Sequence, residues 1–334
     1  MEAKVYDVVV VGGGAAGLSA ALVLGRARRR VAVVDAGAPR NAPAAHMQGF
    51  LSRDGMPPAD LLAAGRAEVT GYGVELVDDQ VVGIEPGFFV RLAGGAHGTV
   101  LKARRILVAT GVSDVLPEIP GVRRLWGRDL LHCPYCHGWE VRDQPIGVLG
   151  TQPGSVHHAL LVRQWSDDVV FFAHTYDLTS AERDQLAARG VRVVGGEVAR
   201  LVVEADRLTG VELIDGRLIA RTAVFIRPGN LPHPDGLLTG LGCEVNEAGF
   251  VRVDATGRTS AFGVWAAGNV VDPRAQVITS AGAGSAAAIA INADLVDEDV
   301  ERAVEDHHAA GGAFSAAMEA RVTQLVRGDR RHGL

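Results

Sequence analysis

Cysteine is scarce in this chain: Cys133, Cys136 and Cys243 are the only three in 334 residues. So sparse and odd a set excludes the disulfide framework of a small secreted scaffold, and a close pair in such a chain points to redox or metal chemistry. Excess positive charge is lacking too. Lys and Arg number 33 against 39 Asp and Glu, a formal net charge of −6, which gives no footing for a nucleic-acid or anionic-membrane partner. The densest basic run, Arg26 to Arg30, falls at the end of an expected helix, where cations complement the helix dipole. No stretch reaches the roughly 18 apolar residues that a membrane-spanning helix needs. A strand pattern, Tyr6 to Val11, stands where a secretory leader would. These absences lead to the expectation of a cytoplasmic protein with neither membrane nor nucleic acid among its partners.

What the chain has in quantity is glycine, 42 residues, within a composition that is 48% hydrophobic and 22% charged. That is a globular balance, and the length allows two domains with a core each. Val8, Val9, Val10 and Val11 form a continuous β-branched run, as in a parallel strand buried on both faces. Gly12, Gly13, Gly14, Ala15, Ala16 and Gly17 follow at once, then an Ala/Leu-rich helix to about Arg28 and a strand from Arg30 to Asp35. A lone GxGxxG hexad is weak evidence; between a strand and a helix, with an acid 18 positions after its last glycine, it is strong. Gly12 permits the tight turn, Gly14 lets backbone approach a pyrophosphate, and Gly17 brings helix and strand together. Free N–H groups at the helix start receive the diphosphate, and Asp35 accepts from a ribose hydroxyl.

Further along, Arg105 to Gly111 reads as a strand ending in Ala-Thr-Gly, and Gly263 to Asn269 as a strand with a polar tip. Ile278 to Asn292 reads as an Ala-rich helix with Thr279 or Ser280 as its cap. Residues 145–229 repeat the strand–turn–helix–strand theme: Pro145 to Gly150, Ser155 to Trp165, Val169 to Ala173. After Asp297 a polar helix is expected up to Gly311 and Gly312. A last helix should then show Phe314, Met318, Val322 and Leu325 on one face, for packing or dimer contact.

The chemistry-bearing motif is His132-Cys133-Pro134-Tyr135-Cys136-His137-Gly138. A two-residue gap suits a disulfide across the first turn of a helix, with Pro134 at the first helical position. So short a loop gains little from chain entropy, so thiolate energetics set the poise: a helix start lowers the thiol pKa and a neighbouring imidazole moves the proton. Three other readings stand beside the redox pair. Cys-x-x-Cys-His is also a c-type haem attachment pattern, two cysteines are half of a structural zinc site, and cysteines can be inert core. Elsewhere, Cys243 reads as a small buried hydrophobe, His46 as a loop histidine near the expected cofactor, and His157 and His158 as surface or interface residues.

Over about residues 5–300 these motifs resemble the low-molecular-weight thioredoxin reductases. The resemblance implies an α/β fold of two Rossmann-like (three-layer ββα) nucleotide-binding domains, the second inserted in the first. Residues 1–116 and 242–334 would form an FAD-binding domain and residues 117–241 an inserted NADPH-like domain carrying the cysteine pair, in a homodimer. It carries FAD contacts over to Gly12, Gly14, Ala15, Ala16, Gly17, Asp35, Ala36, Arg40, Gln48, Val82, Thr110, Gly111, Gly268, Asn269, Gln276 and Val277. The segment Gln276 to Gly282 matches the helix start beneath the flavin ring, and Asn269 stands where the family usually has Asp.

Two departures bear on function. The family's second fingerprint reads Gly150-Thr151-Gln152-Pro153-Gly154-Ser155 here, with Gln152 in place of a glycine and Pro153 removing an N–H. The His-Arg-Arg that grips a 2′-phosphate reads His174-Thr175-Tyr176, so both arginines are gone and the NADPH site is expected to be degenerate. The second departure is His137, where the family usually has Asp; Cys-Pro-Tyr-Cys-His-Gly-Trp-Glu looks like the flavin-dependent dithiol oxidases of the holomycin and gliotoxin type. That resemblance implies a small-molecule dithiol as substrate, Cys133 as the attacked sulfur, Cys136 as the thiolate facing FAD, His137 as general base and O2 as acceptor. An NAD(P)H-dependent disulfide reductase and a non-turnover flavoprotein redox sensor are the alternative readings.

Overall fold

The computed structural model describes residues 4–94, 99–232, 236–309 and 316–327. Two mainly parallel sheets, each followed chain-wise by helices, give two Rossmann-like domains, as the alternation of valine-rich runs and helical segments predicts. Val8, Val9 and Val10 are wholly buried, which explains why the first strand carries no polar alternation.

In the first sheet the spatial order is Glu75–Asp78, Val31–Asp35, Lys4–Val11, Val100–Val108, Phe89–Leu92, Val81–Glu85. The first four strands run parallel, with Val8 opposite Val31 and Val11 opposite both Val34 and Val108. Val100–Val108 forks: its first residues pair antiparallel with Phe89–Leu92, its last three pair parallel with Val264–Ala266. The fork brings the ends of three distant segments (residues 11, 108 and 266) to one edge, where the loops that follow converge.

The second parallel sheet has the order Arg192–Val194, Val169–Phe172, Ile146–Leu149, Ala223–Ile226, Leu130–Leu131. Beside it lies the antiparallel meander Val198–Glu204, Arg207–Leu213, Leu218–Ala220. Leu149, Val170, Phe172, Val224 and Ile226 pack one face of this sheet against Val211 and Leu213 of the meander. Val148, Phe171 and Phe225 pack the other against Val156, Ala159 and Val162 of the helix Ser155–Val162. The chain passes from the first sheet to the second through Val112–Val115 and returns through Gly229–Pro232, and these two segments pair antiparallel, Asn230 opposite Asp114.

Arg40 ties this double crossing down. Its guanidinium makes a two-pronged pair with Asp114 (2.9 and 2.7 Å) and donates to the Pro273 carbonyl, while Asn230 Nδ2 donates to Asp114 at 2.8 Å. A fork-on-carboxylate geometry at less than a quarter exposure is the kind of ion pair that holds a position.

Several expected boundaries move. The first helix is Ala15–Arg26, ending two residues early, with Arg28 in a left-handed conformation (φ 62°). The long helix runs unbroken from Val277 to Ala309, so it neither stops at Asn292 nor restarts after Asp297. A change from alanine-rich to polar sequence is not a stop signal, and residues 292–297 hold no Gly or Pro to supply one. Thr279 and Ser280 are not its cap either, because the Ser280 N–H already donates to the Gln276 carbonyl at 2.8 Å. Gly311, Gly312 and Phe314 lie outside the described residues. By contact density Met1–Ile289 and Ala290–Leu334 are separate compact units. In the second, Ala316–Arg327 is helical and leaves Met318, Val322 and Leu325 exposed. Among the described residues, no helix is long and apolar enough to cross a membrane.

Candidate active site

The dithiol segment leaves the edge strand Leu130–Leu131, and Cys133 takes an extended conformation just before a single helical turn, Pro134–His137, with proline at its start. The Cys136 and His137 N–H groups both donate to the Cys133 carbonyl at 3.1 Å, and Gly138 N–H to Pro134 at 2.7 Å. This hydrogen-bonded turn brings the two sulfurs together: Cys133 and Cys136 are disulfide-bonded, with their Cα atoms 5.2 Å apart. A helix of one turn, Pro134–His137, sums few peptide dipoles, so the helix start expected to lower a thiol pKa is a weak one.

Gly138 is required by what lies beneath it. A side chain there would press on the Pro134 carbonyl and come within 2.8 Å of the Trp165 ring. Trp165 in turn meets the Tyr135 ring edge-on at 5.6 Å, bracing the turn from below. Tyr135 and Trp139 are exposed, the latter with Arg142 stacked 4.0 Å from its ring. Gln48, from the first domain, donates to Glu140 at 3.2 Å, so the loop expected to face the cofactor touches the segment that follows the cysteines.

Burial lowers the His137 pKa below the ordinary 6.5, against a weaker upward pull from Glu140, so the imidazole is neutral at neutral pH. His132 is pushed down to about 4, by burial first and then by the Arg40 charge. His158 corrects an expectation. It is 5% exposed rather than a surface residue, with its ring edge-on to His132 (6.3 Å) and to Phe225 (5.9 Å) and its pKa pushed by burial to about 4. Its helix packs that face into the second sheet, which single-residue polarity does not reveal. His157, its neighbour, is exposed, as is His46. Cys243 is buried in the first core, 3.4 Å from the Thr259 hydroxyl, and burial raises its thiol pKa.

The first glycine-rich turn has the shape of a dinucleotide cradle. Gly12 is left-handed (φ 104°), and a side chain on it or on Gly17 would run into backbone oxygens of Ala109 and of Gly12. Gly14 and Gly111, by contrast, face open space, which is room for a ligand. Asp35 accepts from the Gly13 N–H at 3.1 Å, and Gly268 packs so closely on Ala16 that a Cβ would lie 2.9 Å from it. Residues 12–17, Asp35, Thr110, Gly111 and Gly268 therefore converge on one edge of the sheet, and these residues fit FAD with its diphosphate at the start of Ala15–Arg26. Asn269 spends its amide on the Asp272 and Ala275 carbonyls (2.9 Å each), which shapes the loop leading to Gln276 and Val277. Ala36 and Val82 are exposed, Val82 on the edge strand, and Arg40 is committed to Asp114.

The second turn is filled by its own side chains. Gln152 Nε2 donates to the Arg227 carbonyl (2.6 Å) and the Pro228 carbonyl (3.0 Å), while the Arg227 guanidinium lies against Gly154. At the end of the next strand Tyr176 donates to Glu182 at 2.7 Å, and Glu182 completes a capping box with Thr179. Arg227 and Glu182 were both missed in the sequence, because neither belongs to a motif and each acquires its place only through the sheet.

The fold of this chain has close counterparts. A family profile described as pyridine nucleotide-disulphide oxidoreductase matches residues 6–288. Thioredoxin reductase sirT of Leptosphaeria maculans is 30% identical over 317 residues, covering 89% of this chain and 96% of its own. A thioredoxin reductase of Streptomyces clavuligerus is 31% identical over 302 residues, covering 85% and 92%. Among solved structures, that of HlmI matches with a TM-score of 0.88 at 60% identity, over 91% of this chain and 96% of that one. The putative thioredoxin reductase TrxB from Bacillus anthracis matches with a TM-score of 0.82 at 35% identity, over 87% and 99%.

Proposed function

The chain belongs to the pyridine nucleotide-disulphide oxidoreductase family, and from that premise we propose that it is an FAD-dependent dithiol oxidase. It closes a disulfide in a small-molecule dithiol at Cys133 and Cys136 and delivers the electrons to O2. The observation that carries this reading is the second turn. Where a nicotinamide cofactor's diphosphate would need open backbone, Gln152 and Arg227 occupy the space. Where a 2′-phosphate would need arginines, Tyr176 and the Glu182 carboxylate stand instead. A degenerate NADPH site leaves the dithiol as the source of electrons. Identity of 60% to HlmI goes with the same cysteine-pair scaffold, and the Cys-Pro-Tyr-Cys-His-Gly-Trp-Glu resemblance to dithiol oxidases supports the same direction.

In this reading a substrate thiol loses its proton to His137, and the thiolate attacks Cys133 Sγ; the Cys133–Cys136 bond breaks and Cys136 leaves as thiolate. The second substrate thiolate then attacks the substrate sulfur of the mixed disulfide. The product disulfide forms, Cys133 leaves as thiolate, and the electron pair of the substrate has passed to the protein. Bound FAD would supply a two-electron acceptor for the Cys133 and Cys136 thiolates, whose disulfide would close again, with O2 as terminal acceptor and hydrogen peroxide as its product. His137 suits its task because burial keeps it neutral. The proposal includes residues 117–241 as the inserted domain, a homodimer and a cytoplasmic setting.

The names of the curated relatives favour a second reading, reduction of a disulfide at the cost of NAD(P)H. Anaerobic mixing of the purified holoenzyme separates the two. Bleaching of the flavin by a small dithiol but not by NADPH or NADH, followed by recovery in air with peroxide release, is the expected result. Rapid bleaching by NADPH would sink the oxidase reading.

A further inference from the structure

The chain crosses between its two sheets twice, through Val112–Val115 and Gly229–Pro232. Domains joined so narrowly move relative to one another unless an interface holds them. A loop of the first domain, residues 40–49, reaches the second at three places. At its start the Arg40 guanidinium grips Asp114 on one crossing segment (2.9 and 2.7 Å), and Asn230 on the other donates to the same carboxylate (2.8 Å). In its middle Pro43 sits so close to Gly127 that a Cβ on the glycine would stand 2.7 Å from the proline Cβ. Near its end Gln48 donates to Glu140 at 3.2 Å. Gly127 donates to the Leu130 carbonyl and turns the chain into Leu130–Leu131, just before Cys133, and Glu140 comes four residues after Cys136. The ties therefore fall at the crossing, just before the dithiol segment and just after it.

The loop is braced from its own side as well. Met47 is buried, its N–H donates to Met56 and its carbonyl accepts from Gly55, each at 2.9 Å, while the Gly49 N–H donates to Asp54 at 2.7 Å. Arg40 also donates to the Pro273 carbonyl (2.9 Å), and a Cβ on Gly49 would lie 3.5 Å from Gln276 Oε1. Gln276 immediately precedes the helix that starts at Val277, and Gly284 of that helix packs on Ala16 so closely that a Cβ would overlap the Ala16 carbonyl oxygen. Packed neighbours thus run from the first glycine-rich turn, through residues 40–49, to the segment carrying the sulfurs. A loop that merely covered its own domain would need no contacts on both sides of another domain's disulfide.

We propose that residues 40–49 are a strap that sets the position of the disulfide segment relative to the first domain's cradle, with Arg40 and Gln48 as its positioning residues. Passage of an electron pair from the reduced cysteines to a bound flavin needs contact between the reacting atoms, and an error of about 1 Å can cost a hundredfold in rate. Arg40 bears most of the task, because its fork engages a carboxylate that is largely buried, whereas Gln48 and Glu140 meet at the surface. The balance is that of the reaction above: two electrons leave the reduced pair, the Cys133–Cys136 bond closes, and the flavin is the acceptor. The strap leaves thiol exchange itself to the turn Pro134–His137, which carries both sulfurs.

The inference rests on the reading above as far as dithiol exchange at Cys133–Cys136 with FAD as acceptor, but not on O2. Its test follows two events after anaerobic mixing of the holoenzyme with dithiothreitol: appearance of the paired thiols, trapped by a maleimide and counted by mass, and bleaching of the flavin. In wild type the bleaching should keep pace with the thiols. In Arg40→Ala the thiols should appear at the wild-type rate while bleaching lags by about a hundredfold. Arg40→Lys, which keeps the charge and loses the fork, should lag by about tenfold, and it serves should alanine disturb folding. Gln48→Glu, which sets two carboxylates face to face, should slow bleaching about threefold. Gln48→Glu combined with Glu140→Gln, which exchanges donor and acceptor, should restore it. Hydrogen exchange in residues 112–115 and 229–232 should quicken in the Arg40 variants as the crossing loosens. Bleaching in step with the thiols in both Arg40 variants would overturn the proposal, as would Arg40 variants that purify without flavin, since Arg40 would then be holding the cofactor. Wild type that fails to bleach with any dithiol would instead overturn the function proposed above.

Discussion

Two glycine-rich turns, alike in outline, each join a buried parallel strand to a helix, and they differ in what fills them. In residues 12–17 the glycines at 12 and 17 are needed by neighbouring backbone, and Gly14 opens onto empty space. In residues 150–155 the Gln152 amide donates to the Arg227 and Pro228 carbonyls, and the Arg227 guanidinium from across the sheet lies against Gly154. A strand–turn–helix frame is therefore compatible with an open turn or a filled one, because the frame is held by core valines and phenylalanines while a ligand site would depend on space left vacant. Likeness of fold is a statement about the first; likeness of cofactor depends on the second.

The sharpest way to break the comparison is to place the same methyl group in each turn. Gly17→Ala drives a Cβ into the Gly12 carbonyl oxygen, a rigid backbone atom. We expect a cost of about 3 kcal/mol or more, with protein that purifies with little flavin, read as absorbance per mole of chain. Gly154→Ala meets only the end of the Arg227 side chain, although its φ of 87° adds strain. That variant should lose about 1 kcal/mol by denaturant titration and keep its flavin.

A comparable effect distinguishes the helices that follow. Ala15–Arg26 carries no histidine, whereas Ser155–Val162 buries His158 beside His132. Both imidazoles have a folded pKa of about 4 against an ordinary 6.5. As pH falls below 6.5 the unfolded chain takes up protons that the native chain refuses, so stability is full above 6.5 and is lost progressively towards pH 4. The loss is about 1.4 kcal/mol per unit for each group, less than additive because the pair is coupled. His158→Phe should flatten this acid limb in urea unfolding curves measured from pH 7 to 4. An unchanged slope would mean that the burial of His158 is not felt in the folding equilibrium.

The smallest effect expected is a gain. Gln152→Gly combined with Arg227→Ala reopens the second turn, and NADPH should then bleach the flavin slowly where wild type shows none. The rate should stay low because Tyr176 and Glu182 still disfavour the 2′-phosphate, so NADH should do at least as well. If the reopened turn remains silent to both, then the turn is not what bars the cofactor.

The parallel strands, the first fingerprint and the cysteine pair were legible because each rests on local pattern: an apolar run, glycines at fixed offsets, two thiols one helical turn apart. The departure of Gln152 from glycine was legible too, though not that its amide would reach the backbone of residues 227 and 228. Arg40 was expected to face the cofactor, and its pairing with Asp114, 74 residues away, depends on a strand pairing that no local pattern encodes. His158 was misplaced for a related reason, since a polar residue on a short helix reads as solvent-facing until the sheet beneath it is in place. The helix Val277–Ala309 runs through a shift from alanine-rich to polar sequence, which local pattern reads as an end although no residue that ends helices stands there.

Cys243 gives the folded protein an internal clock. Its sulfur lies among core side chains, and burial keeps it protonated. A thiol reagent added to the reduced, native protein thus meets two accessible groups at once and the third only when the first domain opens. The slow phase of such labelling counts excursions of that core, while the fast phase reports on the Cys133–Cys136 pair. One sample, one reagent and one time course then separate how often the molecule comes apart from how readily it reacts.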